Sequence, residues 1–168
     1  MSQRSEITPV VKVELKRADA AELIAGNPTL SGAPLVKALG LGAKLVLANA
    51  VIRRFPDKTV LMQQGEAGQS LFFVLAGDVR LFARRDTDSA ELGVVHAGEV
   101  LGEGEVLSGE GGRRCSAVAQ GQVDVVELPR TGLLIDGKLS ASLAAMLEQV
   151  KKGRMKALDE MSDFLNRW

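Results

Sequence analysis

One stretch, residues 98–118, limits what this chain can fold into. Its sequence is GEVLGEGEVLSGEGGRRCSAV, with six glycines, four carboxylates and an adjacent pair of arginines. Glycine destabilises the interior of a helix or a strand, so the stretch cannot form regular secondary structure throughout. A short helical turn at Glu105–Leu107 would begin with unpaired backbone N–H groups that favour an anion. An arginine of the pair Arg113–Arg114 would hold the same anion. Composition alone favours a flexible surface loop with solvated charges over such an anion site.

Alternating apolar residues around this stretch predict short strands. The alternating pairs and runs are Val60 and Met62, Leu71–Leu75, Val79–Ala83, Leu92 and Val94, Cys115–Ala119, and Val123–Leu128. Turn-forming sequences separate them, including Gly65–Gly68 and Gly77-Asp78. Short strands spaced by glycine turns are typical of an antiparallel roll or barrel. The sequence therefore predicts an α+β, mainly β fold, an antiparallel β-roll or jelly roll with helices before and after it.

Helical patterns flank the predicted roll. Asp19–Ala25 indicates a short helix, and residues 33–53 indicate one or two helices broken at Gly40 and Gly42. Residues 9–15 alternate and fit either an edge strand or a disordered tail. We expect three parts, namely an N-terminal extension (1–32), the β-roll with its N-terminal helices (33–138) and a C-terminal hinge or dimerisation helix (139–168).

Residues 98–119, called the cassette below, resemble the phosphate-binding cassette of the cyclic nucleotide-binding domain family. The matching pattern is Gly98-x-x-x-Gly102-Glu103, nine residues, then Arg113-x-x-Ser116-x-x-Ala119. Upstream, residues 61–79 fit the family's G-E-x-G-D…L-Y-x-V-x-x-G-x-V signature, and residues 125–128 fit its closing strand. The resemblance covers roughly residues 33–165, and the joint spacing is more specific than any single piece. It implies a stand-alone regulatory β-roll, without the helix-turn-helix of catabolite-activator-like regulators.

The resemblance implies a role for each charged residue of the cassette. The Glu that matches Glu103 accepts a hydrogen bond from the ribose 2′-hydroxyl, as an acceptor-only carboxylate can. Arg113 matches the phosphate ligand, and Arg114 is the alternative in a register shifted by one residue. Three positions depart from the family: Gly104 replaces an apolar anchor, Glu105 replaces a small residue, and Arg114 stands where Ala, Ser or Thr is usual. The predicted ligand-binding residues are Gly102, Glu103, Gly104, Glu105, Arg113, Arg114, Ser116 and Arg154.

The last segment, residues 140–168, indicates one long helix with an apolar seam. Its members follow the a/d repeat of a coiled coil and are Leu143, Leu147, Val150, Arg154, Ala157, Met161, Phe164 and Trp168. The helix could pack on its own domain, but its apolar surface exceeds what a small roll covers, which favours a parallel homodimer. Arg154 is charged within the seam, and we predict that it reaches the ligand or the cassette carboxylates.

Composition and single residues exclude several classes of protein. The formal net charge is zero, so no overall field attracts nucleic acid or a membrane surface, and we expect contact with neither. The one cysteine, Cys115, excludes an internal disulfide, and the N-terminus lacks the apolar region of a signal peptide, so we expect a cytoplasmic protein. The one histidine, His96, is too few for a cupin metal site. Glu103 and Glu105 lack neighbouring substrate-binding aromatics, so we expect neither an enzyme nor a cofactor.

We therefore expect a regulatory module that binds a cyclic nucleotide, cAMP or cGMP, and signals through movement of its C-terminal helix. An unidentified effector protein would receive the signal. Two alternatives stay open at this stage. One is a degenerate domain that serves in dimerisation or protein docking. The other is a receptor for cyclic di-GMP, because the adjacent pair Arg113–Arg114 would suit two phosphates.

Overall fold

The computed structural model describes residues 13–15, 19–48 and 50–166, and it describes side chains for residues 20–48 and 50–160. Short helices precede the sheet, with a 3-10 turn at Gly40–Gly42 between the last two: α1 (Asp19–Ala25), α2 (Pro28–Ser31), α3 (Pro34–Leu39) and α4 (Ala43–Ala48). The predicted first helix and the predicted break at the two glycines are confirmed. The helix predicted to reach residue 53 is wrong, because residues 51–53 lie in a strand that pairs with a distant part of the chain.

A single antiparallel sheet forms the roll. Its strands are β1 (Val13–Leu15), β2 (Val51–Phe55), β3 (Val60–Met62), β4 (Ser70–Arg85), β5 (Asp88–Val95), β6 (Val100–Leu101) and β7 (Ser116–Pro129). The order along the main path is β1-β2-β7-β4-β5, while β3 pairs with β7 and β6 pairs with β4. The predicted fold class is confirmed, a mainly β roll with helices on both ends. Of the alternating residues 9–15, those from Val13 to Leu15 form an edge strand; residues 9–12 lie outside the described part.

The long strands β4 and β7 bend instead of ending at their glycines. The turn predicted at Gly77-Asp78 is wrong, because β4 continues through it with register shifts against β7 on either side of Ala76. Gly77 has φ +88°, and a Cβ there would lie 2.3 Å from the carbonyl oxygen of Gln122. A glycine at this position therefore lets the two strands approach at the bend, which is the usual role of glycine in a β-bulge.

Apolar residues form two clusters on either side of the sheet. One lies inside the roll and includes Phe55, Val74, Val79, Leu101 and Val123. The other joins the sheet to the helices and includes Leu35, Leu47, Ile52, Phe73 and Leu128. Helices before and after the roll share this second cluster with Val106 of the cassette. The division of the chain at residues 32 and 138 stays a prediction.

A single turn, α6 (Arg130–Leu133), follows β7, and the C-terminal helix α7 (Ala141–Asn166) packs on its own domain along its first turns. Leu143 and Leu147 are 1% and 0% exposed and belong to the cluster between sheet and helices. The prediction that these two residues face a second copy is therefore wrong, since the roll already covers them. The side chains of Met161 and Phe164, and all of Trp168, lie outside the described part, and the homodimer stays a prediction. Among the described residues, no helix is both long enough and apolar enough to cross a membrane.

Candidate functional site

A small cavity lies between the cassette, the mouth of the roll and α7. The volume open to the centre of a water molecule is about 40 Å³. Its walls are Met62, Leu81, Leu92 and Leu101 from the roll, Gly102–Glu105, Arg114 and Cys115 from the cassette, and Lys151, Arg154, Met155 and Leu158 from α7. The cavity therefore brings together all but two of the predicted ligand-binding residues. Arg113 and Ser116 are not among its walls.

Glycines set the start and the end of the helix in the cassette. This helix, α5 (Glu103–Ser108), begins after Gly102 at φ +88° and ends at Gly109 at φ +75°. The predicted helical turn is confirmed and extends a residue or two beyond each of its expected bounds. Glu103 and Glu105 both lie in the first turn, where carboxylates compensate the positive end of a helix dipole. Their side chains are buried, although acidic residues are rarely buried without partners.

Arg113 is the partner of Glu105 and is held inside the cassette. Its Nη1 lies 2.8 Å from Glu105 Oε1, and its Nη2 donates to the carbonyl oxygen of Ser70 at 2.9 Å. The residue is 4% exposed. Gly68 and Gly102 make room for it, since a Cβ at either position would come within 2.8 Å of a guanidinium nitrogen. The guanidinium is therefore held by an ion pair and by a hydrogen bond to a carbonyl oxygen, in the space that the two glycines leave open.

Arg154 of α7 is the partner of Glu103. Its Nη1 donates to Glu103 Oε2, and its Nη2 donates to the carbonyl oxygen of Val100 at 2.6 Å. The exposed fractions of the two side chains are 22% for Arg154 and 8% for Glu103. The pair connects the last helix to the cassette across the cavity. Arg154 thus lies beside the cassette carboxylate that the sequence assigned to the ribose.

The match to a family model agrees with this arrangement. Residues 52–134 match the description "Cyclic nucleotide-binding domain". This range begins one residue inside β2 and contains β3 to β7 with the cassette. Residues 52–134 therefore belong to the cyclic nucleotide-binding domain family. Helix α7 lies outside the matched range, so Arg154 reaches the family's cassette from a neighbouring segment.

Individual relatives show the same family. The chain is 30% identical over 139 residues to the cyclic AMP receptor protein of Thermus thermophilus, covering 82% of this chain and 64% of that protein. The crystal structure of the Thermus thermophilus catabolite activator protein superposes with a TM-score of 0.65 at 30% identity, covering 79% and 63%. The regulatory domain of Toxoplasma gondii PKA with cAMP shares the fold alone, with a TM-score of 0.62 at 21% identity over 71% of this chain and 45% of that one. The chain spans less than two thirds of the length of each of these relatives.

The two adjacent arginines of this cyclic nucleotide-binding domain lie in different environments. Arg113 is buried, whereas Arg114 is exposed, lines the cavity and donates from Nη1 to the Met155 sulfur at 2.8 Å. Ser116 is not one of the cavity walls, and its Oγ accepts a hydrogen bond from the backbone N–H of Gln64 at 2.9 Å. The assignments of Arg113 and Ser116 to a ligand stay predictions, since each already has partners within the domain.

Sequence reasoning missed several walls of the cavity. Three further residues of α7 line the cavity beside Arg154, namely Lys151, Met155 and Leu158. Lys151 lies three positions before Arg154 and Leu158 lies four after it, so helical spacing could have predicted these two. In the cassette, Cys115 is 8% exposed. Burial, reinforced by the negative charge of Glu103, raises the pKa of its thiol to about 11. A thiol with that pKa is protonated and unreactive at neutral pH, so Cys115 serves here as an apolar wall.

Proposed function

We propose that this domain is a regulatory module that binds a cyclic nucleotide, cAMP or cGMP, in the cavity under α7. The observation that carries the proposal is the contact of Arg154 with Glu103, because it connects the output helix to the carboxylate assigned to the ribose. Membership of the family and the similarity to a cyclic AMP receptor protein support the ligand class. The domain would then act by changing shape, with no reaction of its own.

Each wall of the cavity has a proposed task. The carboxylate of Glu103 has two oxygens, and the one that Arg154 leaves free can accept a hydrogen bond from a ribose 2′-hydroxyl. Arg114 and Lys151 carry positive charge at the cavity and would attract the cyclic phosphate on entry. Arg113 lies behind them and would be the innermost phosphate ligand. Met155 and Leu158 on α7 would pack against the base.

Movement of α7 is the proposed signal. Binding pockets for small molecules usually measure about 300–1,000 Å³, so a cavity of about 40 Å³ cannot take a nucleotide while α7 stays in place. The ligand would therefore select a state in which α7 has shifted. A ligand shifts such an equilibrium only through its different affinities for the two states. An effector protein that contacts α7 would receive the change.

A specific observation favours the second candidate, a domain that binds no nucleotide and serves in protein docking. The buried carboxylates and guanidinium of the cassette already have partners, and the cavity is small. The third candidate, a receptor for cyclic di-GMP, has less support. Its two phosphates would need both arginines of the pair, yet only Arg114 faces the cavity.

Calorimetric titration of the full chain with cAMP, cGMP and cyclic di-GMP tests the proposal. We expect heat from at least one of the first two nucleotides and none from cyclic di-GMP. Glu103→Ala should weaken this binding, while Glu110→Ala, which removes an exposed carboxylate from the same cassette, should leave it unchanged. Absence of binding by all three nucleotides would contradict the proposal and favour the docking module.

A further inference from the structure

We propose that Glu105 is a built-in competitor for the phosphate on Arg113, and that it sets the affinity of this domain for cyclic nucleotides. The inference rests on the proposed function, because Arg113 is the phosphate ligand only if the domain takes a cyclic nucleotide. Glu105 stands at a position where the family usually has a small residue. A side chain that ends in an anion there lies next to the group that should bind an anion.

The Glu105 carboxylate binds the Arg113 guanidinium in the way that an anionic ligand would. Glu105 Oε1 lies 2.8 Å from Arg113 Nη1, and the two side chains are 6% and 3% exposed. Carboxylate and phosphate oxygens bind a guanidinium through the same charge-assisted hydrogen bonds. The guanidinium nitrogen used by Glu105 is therefore unavailable to a phosphate until the carboxylate leaves.

The charges of the two buried acids in the site are already balanced. Glu105 pairs with Arg113, and Glu103 pairs with Arg154. A cyclic phosphodiester carries one further negative charge. If it entered beside Arg113 with both pairs intact, its charge would lie next to the buried Glu105 carboxylate, while Arg114 and Lys151 carry their charges on the cavity side. Two anions side by side are strongly unfavourable in a medium of low dielectric constant. Binding at Arg113 therefore requires that Glu105 gives up its place.

Glu105 is the member of the pair that can move. Arg113 is also held by the carbonyl oxygens of Ser70 and Gly102, at 2.9 and 3.4 Å, and is packed against two glycines. The carboxylate of Glu105 hydrogen-bonds within the described residues to Arg113 alone, and it borders the cavity. It can therefore turn into the space that opens when α7 shifts, while Arg113 stays in place to receive the phosphate.

Calorimetric titration with cAMP compares the native chain, Glu105→Gln, Glu105→Ala and the control Glu110→Ala. Because a charge-assisted hydrogen bond is worth about 1.5–3 kcal/mol, Glu105→Ala should tighten binding by roughly ten- to a hundredfold. Glu105→Gln keeps a hydrogen-bond acceptor for Arg113 without the charge, so it should fold like the native chain and bind with intermediate affinity. The control should bind like the native chain, because Glu110 is exposed and is not one of the cavity walls.

Two double variants test which arginine binds the phosphate once the Glu105 carboxylate is removed. Adding Arg113→Ala to Glu105→Ala removes both members of the buried pair, which costs less than leaving one unpaired; it should abolish the gain in affinity. Adding Arg114→Ala to Glu105→Ala should leave most of the gain. The opposite result would overturn the inference, because the phosphate would then bind to Arg114 with no competition from Glu105.

The remaining outcomes separate this inference from the proposed function. If the native chain binds cAMP as tightly as Glu105→Ala does, the result supports the proposed function and contradicts the role of Glu105 as a competitor. If Glu105→Ala binds cAMP and the native chain does not, the result supports Glu105 as a competitor. It also overturns the proposed function of the natural sequence. Failure of all variants to bind overturns both.

Discussion

Arg154 near the middle of α7 and Glu103 at the start of α5 form an ion pair, although 51 residues separate them in the chain. Arg154 also binds the carbonyl oxygen of Val100, which lies in β6 just before the cassette. The position of α7 and the position of the cassette are therefore coupled through one side chain. A ligand that engages Glu103 acts on the same contact that holds the helix.

Replacing Arg154 by leucine should release α7 from the cassette. The change leaves Glu103 without its guanidinium in a site where its side chain is 8% exposed. Lost charge-assisted hydrogen bonds cost about 1.5–3 kcal/mol, so the variant should be less stable by roughly that amount. The rate at which a thiol reagent modifies Cys115, the one cysteine of the chain, reports the opening, because Cys115 is buried and lines the cavity opposite to α7 residues.

The matched control is Lys156→Leu on the same helix. Lys156 pairs with Glu160 at 4.0 Å, with both side chains largely exposed, and exposed pairs contribute little. We expect the control to keep the native modification rate. If Arg154→Leu also keeps it, the ion pair does not hold α7 over the cavity.

A second prediction concerns the sugar of the ligand. If Glu103 accepts a hydrogen bond from the ribose 2′-hydroxyl, 2′-deoxy-cAMP should bind the native chain roughly tenfold or more weakly than cAMP, as expected for a hydrogen bond to a charged group. Glu103→Ala should bind the two sugars with similar affinity. Competition titrations with the two nucleotides measure both ratios. Equal affinity of the native chain for the two sugars would remove the role assigned to Glu103.

Local patterns explain how much of the fold could be predicted. Alternation and glycine turns indicated the roll, and the resemblance to a family motif indicated the cassette, because both depend on residues that are close together in the chain. Strand β2 was missed because Val51 follows Leu47 at the helical spacing of four, while its pairing with β7 depends on residues far along the chain. The bend at Gly77 was missed for a similar reason, since a glycine looks the same in a turn and in a bulge.

Partners of side chains and of helix faces were harder to predict. The period of α7 showed one apolar face, but it could not show whether a second chain or the roll covers Leu143 and Leu147. The cassette spacing assigned Arg113 to a phosphate, but sequence alone does not reveal which acceptor a guanidinium meets in a folded loop. Glu105 meets it first because α5 turns that carboxylate inward.

Two neighbouring glycines of the cassette should respond oppositely to alanine. A Cβ at Gly104 would have no neighbour within 4 Å, and alanine inside a helix is favoured over glycine by about 0.5–1 kcal/mol. Gly104→Ala should therefore raise the free energy of unfolding by up to that amount. Gly102→Ala should lower it, because Gly102 has φ +88° and its Cβ would lie 2.7 Å from the Ser70 carbonyl oxygen.

Chemical denaturation of the two glycine variants beside the native chain measures these changes. Calorimetry with cAMP adds a second readout, since Gly102 also makes room for Arg113 and Gly104 does not. Destabilisation by Gly104→Ala equal to that by Gly102→Ala would contradict the packing described for the cassette.

The pair His96–Asp78 should make stability depend on pH at the far end of the roll. His96 Nδ1 lies 2.7 Å from Asp78 Oδ1, and this hydrogen bond, followed by the attraction of the Asp78 and Glu99 charges, raises the pKa of His96 above 6.5. A raised pKa in the folded state means that protonation favours folding. The contribution is therefore complete below about pH 6.5 and is lost as the pH rises through the folded-state pKa.

Histidine NMR titration and thermal melts check this sign. The chain has one histidine, so its titration is unambiguous, and Asp78→Asn should return its pKa towards the ordinary value. The native chain should exceed His96→Gln in melting temperature at about pH 5.5, and the difference should shrink by about pH 8.5, because neutral histidine no longer attracts Asp78. A difference that grows with pH would show that the neutral imidazole, and not the ion pair, stabilises this end of the roll.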